Sequence, residues 1–526
     1  MGEIGFWTVA GADLDRIAVV DDQEREIGYG WLMARANQLT HGLAALGLRP
    51  GDCVATLLYN QSEFLELALA SAQSGTYFLP INWHLTGPEV AHILRDSQAK
   101  ALIATRRTTP VAVQAAEQAG LNPDALFLVG SDESPSTGSG SDGESMRAVE
   151  DLWTGRPAAR PANPTAGETM LYTSGTTGRP KGIRRPLTGA DPEAAAGPLA
   201  QFTSGIFGVP SGPAVQLVTG PLYHATPGGL ALCGLHLGHT LVLMDRWEPE
   251  EMLRLIERHR VSYLHAVPTM FHRLLSLPER VRDRYDTSSL RSVVHGAAPC
   301  PIEVKQRMID WWGPIITEYY GSSEGGGTYV RSQDWLRRPG TVGLPWPGSR
   351  IRILDDDGRD RPPNEPGTVY IKMPGFQFRY HNDDEKTRAN TRDGCFTVGD
   401  IGYLDDEGYL FLSGRTAELI ISGGVNIYPA EIEARLLTHP AVADVGVIGV
   451  PNPEWGEEVV AVVQPRDGIA ATTDLSRELI EYCRAELAGF KVPRSVVFRE
   501  QLPRTDAGKL LKHLLRDELR PVVGSG

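Results

Sequence analysis

The sequence has few cysteines, no long apolar run and no excess of positive charge. Its 526 residues include only five cysteines, which lie far apart without CxxC or CxxxH spacing, so neither a disulfide framework nor a zinc site is expected. No uninterrupted apolar stretch is long enough to span a bilayer. The formal net charge of -14 argues against a general nucleic-acid-binding surface, which would need a basic face.

The first residues, "MGEIGFWTVAGADLDR", also lack the basic and apolar stretches of a secretory signal. Together with the scattered cysteines, this predicts buried free thiols and a cytoplasmic protein. A hydrophobic fraction of 41% and a charged fraction of 22% are typical of globular proteins. The length predicts roughly two to four domains.

Short apolar runs alternate with helical patterns through much of the chain. The first third contains "CVATLLY", "YFLPIN", "ALIAT" and "ALFLVG", separated by segments such as "SEFLELALASAQ" with apolar residues at three- and four-residue spacing. The rhythm resumes later with "AVQLVTG", "HTLVLM", "VSYLHA" and "RSVVHGAAP". Both stretches predict βαβ units, and therefore two doubly wound α/β subdomains.

From about residue 340 the pattern changes to alternating strands with DDG and DEG turns, which predicts a β-barrel-like subdomain. After Arg415 a compact α+β segment begins. The predicted fold is therefore α/β, with a large N-terminal domain over 1–415 and a small C-terminal domain over 416–526.

The segment "TSGTTGRPKG" (173–182) has the composition of an anion-binding loop. Glycines let backbone N–H groups converge on a phosphate, while hydroxyls and Lys181 add donors and charge. Its spacing is GxxGxxKG, and no Ser or Thr follows Lys181, so it does not match the Walker A pattern. A kinase- or GTPase-like P-loop is therefore disfavoured, although a polyphosphate ligand is expected.

Three further segments carry polar groups whose meaning is ambiguous when each is taken alone. "EYYGSSEGGG" (318–327) follows a predicted parallel strand, and its Glu324 is a candidate Mg²⁺ ligand. Asp400 and Arg415 are suited to a ribose diol and a phosphate, or to a salt bridge across a hairpin. Lys509 in "LPRTDAGKLLK" is, by itself, an ordinary loop lysine.

Taken in order, the motifs TSGTTGRPKG, YGSSE, VGD, SGR and PRTDAGK resemble the adenylate-forming superfamily, which includes acyl-CoA synthetases, nonribosomal adenylation domains and firefly luciferase. The resemblance covers nearly the whole chain. It implies that MgATP activates a carboxylate as an acyl-adenylate with release of pyrophosphate, and that a thiol such as coenzyme A then takes the acyl group. It also implies that the C-terminal domain is mobile.

The same resemblance assigns roles to residues of this sequence. It makes Lys509 the catalytic lysine between the carboxylate and the α-phosphate, with Glu324 and His224 also in the catalytic set. It places Mg²⁺ on Glu324 and Thr176, and the path of the CoA thiol beside Gly423 and Gly424. The implied nucleotide-binding residues are Thr173, Ser174, Gly175, Thr176, Thr177, Lys181, Gly296, Ala297, Ala298, Glu318, Tyr319, Tyr320, Gly321, Ser322, Ser323, Asp400 and Arg415.

The sequence indicates the carboxylic acid and the acyl acceptor less clearly than it indicates the reaction. "PLYHATPGG", around His224, contains no Asp of the kind that holds an amino group in nonribosomal domains, and "SGGVNIYPAEIE" resembles the pantetheine tunnel of CoA ligases. An acyl-CoA synthetase is therefore preferred. Gly325, Gly326 and Gly327 would leave room for a hydrophobic acid of fatty, aryl or steroid side-chain type, unless they serve only the backbone.

Two other interpretations stay open. One is an adenylating enzyme that passes its acyl group to a carrier protein or activates an unusual oxyanion. The other is a nucleotide- or acyl-adenylate-binding protein without turnover. The expected partners are a small carboxylic acid, ATP and CoA, with no nucleic acid and no membrane span, in a monomer or a homodimer.

Overall fold

A computed structural model describes residues 4–130, 146–173, 181–322, 324–373, 379–415, 418–422, 425–452, 455–505 and 508–519. No helix in these ranges is long and apolar enough to cross a membrane. The five cysteines, all within these ranges, are free, and four of them are buried. The prediction of unpaired thiols is confirmed.

The first part of the chain supplies a parallel α/β layer, two strands of a second sheet and an antiparallel hairpin. Its elements are α1 (Phe6–Ala12), β1 (Ile17–Val20), β2 (Glu26–Gly28), α2 (Tyr29–Ala45), β3 (Cys53–Leu57), α3 (Ser62–Ser74), β4 (Tyr77–Pro80), α4 (Gly87–Ser97), β5 (Ala99–Thr105), α5 (Thr109–Ala119), β6 (Leu126–Val129), β7 (Arg147–Ala148), β8 (Glu168–Thr169), β9 (Leu171–Thr173) and β10 (Lys181–Arg184). The sheet order β7-β6-β5-β3-β4-β8 is parallel throughout. Strand β3 is buried along its whole length, as expected for a parallel sheet covered on both faces.

The second α/β unit supplies the edge at which the predicted motifs gather. Its elements are α6 (Pro192–Phe207), β11 (Val215–Val218), α7 (Ala225–Leu237), β12 (Thr240–Leu243), α8 (Pro249–Arg258), β13 (Tyr263–Ala266), α9 (Pro268–Ser276), α10 (Glu279–Arg282), β14 (Ser292–His295), α11 (Ile302–Trp312), β15 (Ile316–Gly321), β16 (Gly327–Arg331), α12 (Ser332–Trp335) and β17 (Thr341–Pro345). Strands β1, β12, β11, β13, β14 and β15 pair in parallel. Their carboxyl ends therefore lie along one edge, where ligands bind in open α/β sheets.

Antiparallel strands follow. They are β18 (Arg350–Leu354), β19 (Gly367–Lys372), β20 (Arg379–Tyr380), β21 (Thr391–Arg392), β22 (Cys395–Phe396), β23 (Asp400–Leu404) and β24 (Leu410–Arg415), with α13 (Asp384–Ala389) between β20 and β21. The sequence predicts a β-barrel-like subdomain here. Its strands are hydrogen-bonded to the second α/β sheet through β16, β17 and β24, because β15 and β16 form an antiparallel hairpin that continues the sheet.

The C-terminal part has a sheet of its own. It contains β25 (Ile420–Ser422), β26 (Val425–Ile427), α14 (Pro429–Leu437), β27 (Val442–Asn452), β28 (Gly456–Pro465), α15 (Thr473–Arg484), β29 (Ser495–Phe498) and α16 (Lys512–Leu519). The strands pair in the order β26-β25-β28-β27, with β29 beside β28. The predicted domain boundary after residue 415 falls between two different sheets and stays a prediction.

Candidate active site

The phosphate-binding motif begins and ends on a β-hairpin. Strands β9 and β10 pair antiparallel, so that Thr173 lies opposite Lys181. Lys181 Nζ donates a hydrogen bond to Asp383 Oδ2 at 2.5 Å, and both side chains are partly exposed. A Cβ at Gly182 would lie 2.9 Å from the Tyr172 ring, so the hairpin needs a glycine there. Lys181 therefore stands at the base of the motif, beside a carboxylate.

Part of the predicted site lies outside the described residues, namely Ser174, Gly175, Thr176, Thr177, Ser323, Gly423 and Gly424. Thr173 and Arg415 are described through their backbones. Thr173 pairs with Lys181, and Arg415 pairs with Asp400 across β23 and β24. The roles of all these residues stay predictions.

Glu324 is the carboxylate between β15 and β16. Glu324 is buried, with 7% exposure, and its Oε1 accepts a hydrogen bond of 2.7 Å from the Tyr380 hydroxyl. Burial and then the Glu324 charge raise the pKa of Tyr380, which keeps this hydroxyl a donor. A buried carboxylate whose orientation is set by a neutral donor suits a hard cation such as Mg²⁺.

Strand β20 joins the two charged groups. It pairs with β10 through Tyr380 opposite Ile183, and Asp383 follows three residues after Tyr380. One short segment therefore contacts both Lys181 and Glu324. Tyr380 and Asp383 are not among the site residues predicted from the sequence. The only signal for them is the polar cluster after an aromatic residue in "YHNDD", which does not reveal its partners.

Tyr320 and Asp400 form the third contact of the site. The Tyr320 hydroxyl donates to Asp400 Oδ2 at 2.6 Å, and Asp400 is buried at the start of β23. This hydrogen bond connects the parallel half of the sheet to the antiparallel half. Tyr320 and Asp400, predicted as adenine and ribose contacts, are brought together, as an adenosine site requires.

Ser322 lies where β15 ends. Its buried hydroxyl has no hydrogen-bond partner among the described residues. A buried polar atom left without a partner is unfavourable, so a ligand group there would be favourable. Gly321 pairs with Gly327 across the β15–β16 hairpin. These features fit the predicted phosphate position.

The glycines after Glu324 are explained by the backbone. Gly325 and Gly326 have positive φ values of 119° and 73°, and a Cβ at Gly327 would lie 2.1 Å from the Tyr320 carbonyl oxygen. They allow a tight turn and a close strand approach, which is the backbone role considered from the sequence. Their role beside an acyl pocket stays a prediction.

The loop after β14 holds Gly296, Ala297 and Ala298. Ala297 has a φ of 67°, in the left-handed region that is unusual for alanine. A Cβ at Gly296 would lie 2.5 Å from the Tyr319 carbonyl oxygen, so the loop packs directly on β15. This close packing places the segment predicted to line adenine beside the strand that carries Tyr320.

Glu318 pairs with a lysine of a neighbouring helix. It is a buried residue whose Oε2 accepts a hydrogen bond of 2.5 Å from Lys305 Nζ on α11, and His295 Nε2 lies 3.7 Å from the same oxygen. Burial raises the pKa of Glu318, and Lys305 opposes that shift. The carboxylate is therefore held in a buried ion pair, and the role of Glu318 at the nucleotide stays a prediction.

The Tyr319 side chain points away from that of Tyr320, and its role at the nucleotide stays a prediction. Consecutive strand residues point to opposite faces, so Tyr319 and Tyr320 cannot both face the nucleotide. The Tyr319 hydroxyl donates to Thr226 Oγ1 at 2.9 Å. Thr226 is the second residue of α7, and His224 is the N-cap of that helix. Tyr319 therefore lies with His224, on the side where the resemblance implies the acyl group.

Lys509 lies in a tight turn of the C-terminal part. Arg504 and Leu510 form an isolated antiparallel bridge, and the Arg504 guanidinium donates to both carboxylate oxygens of Asp444 at 2.6 Å. Lys509 itself is exposed. Gly508, with a φ of 74°, would place a Cβ 2.3 Å from Thr269 Oγ1.

Because Thr269 is the second residue of α9, which follows β13 closely in the chain, the turn with Lys509 packs against the carboxyl edge of the second sheet. A second contact lies at the other end of α9, where Arg466 Nη1 donates to Ser276 Oγ at 3.2 Å. Lys181, Glu324, Asp400 and the Lys509 turn are therefore all arranged around one edge of the protein.

Comparison with known proteins identifies the family. The profile of the AMP-binding enzyme family matches residues 6–381, and the profile of the AMP-binding enzyme C-terminal domain matches residues 431–509. The chain belongs to the AMP-binding enzyme family. A feruloyl-CoA synthase of Amycolatopsis sp is 35% identical to this AMP-binding enzyme over 521 residues, with 98% of each chain covered.

A long-chain-fatty-acid–CoA ligase of Mycobacterium tuberculosis is 33% identical over 505 residues, which cover 94% of this AMP-binding enzyme and 93% of the ligase. The crystal structure of ATP-bound MatB from Rhodopseudomonas palustris is 28% identical, with a TM-score of 0.82 and 100% coverage of both chains. The predicted superfamily, fold class and enzyme class, an ATP-dependent, AMP-forming acyl-CoA synthetase, are confirmed.

Proposed function

We propose that the residues around the carboxyl edge of the second sheet catalyse both half-reactions of an acyl-CoA synthetase acting on a hydrophobic carboxylic acid. The supporting observation is the convergence of Lys181, Glu324 and Asp400 with the turn that carries Lys509. In the first half-reaction a carboxylate oxygen attacks the α-phosphorus of ATP and pyrophosphate leaves. In the second, the CoA sulfur attacks the acyl carbonyl carbon and AMP leaves.

Each group has a task that follows from its position. Lys181, at the base of the phosphate loop, exchanges Asp383 for the β- and γ-phosphates of ATP. Asp400 receives the ribose hydroxyls, with Tyr320 against the adenine, and Ser322 donates toward the phosphates. These residues hold the nucleotide so that the α-phosphorus is in line with the incoming carboxylate.

Glu324 is the proposed Mg²⁺ ligand, together with Thr176. Mg²⁺ binds through one or two carboxylates and substrate phosphates, and it would neutralise the charge that develops on the pyrophosphate. Tyr380 holds the Glu324 carboxylate in place by donating a hydrogen bond to one of its oxygens. The same hydrogen bond also fixes the direction of the other carboxylate oxygen.

Lys509 is the proposed catalytic lysine. The carboxylate and the α-phosphate are both anions, so their approach requires a cation between them. We expect Lys509→Ala to reduce pyrophosphate release by about a hundredfold or more, because removal of a single electrostatic stabiliser has effects of that size. The measurement is acid-dependent pyrophosphate release, with Lys100→Ala, an exposed lysine on β5, as the matched control.

The rate of thioester formation should distinguish a catalytic role of Lys509 from a general effect of the substitution on folding. When the acyl-adenylate is supplied, the Lys509→Ala variant should form acyl-CoA at nearly the wild-type rate, because the second half-reaction no longer needs a cation between two anions. Equal loss of both half-reactions would contradict this role for Lys509.

One experiment identifies both the carboxylic acid substrate and the acyl acceptor. Purified enzyme is incubated with ATP, Mg²⁺ and a panel of fatty, aryl and steroid side-chain acids, with and without CoA. Mass spectrometry of the products should show acyl-CoA only in the presence of CoA. Acyl-adenylate without CoA ester formation would favour a carrier protein or another nucleophile as acceptor, and nucleotide binding without pyrophosphate would favour a non-catalytic protein.

A further inference from the structure

A chain of three polar side chains crosses the interior behind the proposed active site. His265 Nε2 lies 3.2 Å from the Tyr319 hydroxyl, which donates to Thr226 Oγ1 at 2.9 Å. Tyr319 has a single hydroxyl hydrogen, and Thr226 receives it, so His265 is the donor to Tyr319. The three residues are called the Thr226–Tyr319–His265 chain below.

The histidine end of this chain is neutral. His265 is a buried residue at the carboxyl end of β13, and burial, followed by the nearby His224, lowers its pKa to about 4. At neutral pH its imidazole therefore donates one hydrogen bond and carries no charge. The direction of donation runs from His265 through Tyr319 to Thr226.

Thr226 is the end of the Thr226–Tyr319–His265 chain that has a hydroxyl hydrogen available for a ligand. Among the described residues, no acceptor receives its own hydroxyl hydrogen. Thr226 is only partly buried, and its helical neighbours Ala225 and Gly229 are exposed. A Cβ at Gly229 would meet no atom within 4 Å, so there is open space beside this turn of α7. A ligand group in that space is within reach of the Thr226 hydroxyl.

The Tyr319 ring is fixed in place. Its two hydrogen bonds hold the hydroxyl, the ring centroid lies 5.7 Å from that of Phe207, and the side chain is only 8% exposed. A Cβ at Gly296 would lie 2.6 Å from the ring, so the glycine is required for this position. Behind the ring lies the apolar cluster of Phe207, Leu230 and Tyr263. Tyr319 is therefore a rigid wall between the open space and that cluster.

Other apolar side chains nearby are already part of the core. Val267, Met270 and Trp312 are buried in the apolar core around α9 and α11. Within the Thr226–Tyr319–His265 chain, Thr226 is the residue that presents its polar group to open space, because Tyr319 and His265 are buried.

We propose that the Thr226–Tyr319–His265 chain closes the acyl pocket and selects a ring-sized acid with a hydrogen-bond acceptor over a long saturated chain. Thr226 donates to a hydroxyl, methoxy or carbonyl oxygen of the acid, and the Tyr319 ring limits its length. This inference rests on the proposed function and adds the class of acid to it.

The test compares matched acids. Formation of acyl-CoA is measured for 3-phenylpropanoic acid, its three monohydroxy derivatives and dodecanoic acid, and kcat/KM is compared. We expect the wild type to prefer the best hydroxy derivative over the parent acid by roughly tenfold, as one hydrogen bond allows. Dodecanoic acid should be the poorest of the five.

Thr226→Val removes the donor and keeps the shape of the side chain. The preference for the hydroxy acid should fall to about one, while the parent acid stays within about twofold of wild type. Thr203→Val, on neighbouring α6 and outside the chain of three residues, is the matched control and should keep the preference. Unchanged preference in Thr226→Val would overturn the proposal.

Tyr319→Ala removes the wall. It should raise kcat/KM for dodecanoic acid by about tenfold or more, because the space toward Phe207 becomes accessible. Tyr329→Ala, opposite Tyr319 on β16, is the control that should not gain this activity. A wild type that already prefers dodecanoic acid would refute the inference and leave the proposed function intact, whereas no CoA ester from any acid would count against both.

Discussion

Two consecutive tyrosines on β15 make hydrogen bonds on opposite faces of the sheet. Tyr320 donates to Asp400 on the side proposed for the nucleotide, whereas Tyr319 donates to Thr226 on the other face. The alternation of strand side chains makes this division unavoidable. At the scale of single residues, the role of each tyrosine therefore depends on the partner of its hydroxyl. Tyr380 is a third such tyrosine, because its hydroxyl donates to Glu324.

Tyr380→Phe tests whether this tyrosine positions the Mg²⁺ ligand. Losing the hydrogen bond frees the Glu324 carboxylate to rotate, so the Mg²⁺ concentration for half-maximal activity should rise by about tenfold, as for other residues that orient metal ligands. Activity at saturating Mg²⁺ should fall much less. The measurement is a Mg²⁺ titration of pyrophosphate release.

Tyr370→Phe, a partly exposed tyrosine on β19, provides the control. It should leave the Mg²⁺ titration unchanged. If Tyr380→Phe lowered kcat at every Mg²⁺ concentration without moving the midpoint, Tyr380 would be only a packing residue.

At the scale of elements, the ion pair between Lys305 and Glu318 ties α11 to β15. Both residues are buried, and Lys305 Nζ also lies 4.7 Å from the centre of the Trp335 ring. A helix packed on a sheet through a buried charge pair is sensitive to loss of one partner, because the remaining charge has no solvent around it. The pair thereby supports the strand that carries both tyrosines.

Lys305→Met should lower the free energy of unfolding by about 3–5 kcal/mol, the usual cost of breaking a buried pair. Burial already raises the pKa of Glu318, and loss of Lys305 raises it further. The folded state then binds more protons than the unfolded state, so stability falls as pH rises through the region between the two pKa values. Urea denaturation should therefore show a larger deficit at pH 7.5 than at pH 5.5.

The double variant Lys305→Met with Glu318→Leu is the control. Removing both charges leaves an apolar contact of similar volume, and stability should return toward wild type. A double variant as unstable as Lys305→Met would show that packing, and not the unpaired carboxylate, causes the loss.

At the scale of the whole molecule, α9 is the surface on which the C-terminal part rests. Gly508 contacts Thr269 at one end of α9, and Arg466 donates to Ser276 at the other. The contact at Gly508 directly determines where Lys509 lies. Adenylation should therefore depend on this docking far more than thioester formation does, because Lys509 is proposed to act only in the first half-reaction.

Gly508→Ala should impair adenylation by about tenfold or more while acyl-adenylate is still converted to acyl-CoA. A Cβ 2.3 Å from Thr269 Oγ1 would push the turn away from α9, and a misplacement of about 1 Å costs that much or more. Gly468→Ala is the matched control, since Gly468 has a similar φ of 81° but no atom within 4 Å of an added Cβ. Equal effects of the two variants would attribute the loss to backbone strain.

Much of this arrangement was predictable from local patterns. Alternating apolar runs and helical segments predicted β3, β4, β5 and β6 to within a few residues, because a buried parallel strand reads as a short β-rich apolar run. The unusual spacing of "TSGTTGRPKG" excluded a Walker A loop, and the order of motifs through Lys509 indicated the family. These properties depend on residues close together in the chain.

Contacts between distant residues were decided only by the tertiary structure. Asp383 and Tyr380 lie about 200 and 56 positions from the groups they contact, and no periodicity links them to Lys181 and Glu324. Likewise, the partner of Glu318 is a lysine on a helix, and the glycines after Glu324 proved to serve strand packing.

Sequence by itself therefore determined the family, the order of elements and the chemistry of the motifs. Tertiary structure decided which of those groups contact one another and which form buried structural pairs. The reason is physical: a motif specifies donors, acceptors and backbone freedom, whereas sheet pairing and helix packing specify where each side chain points.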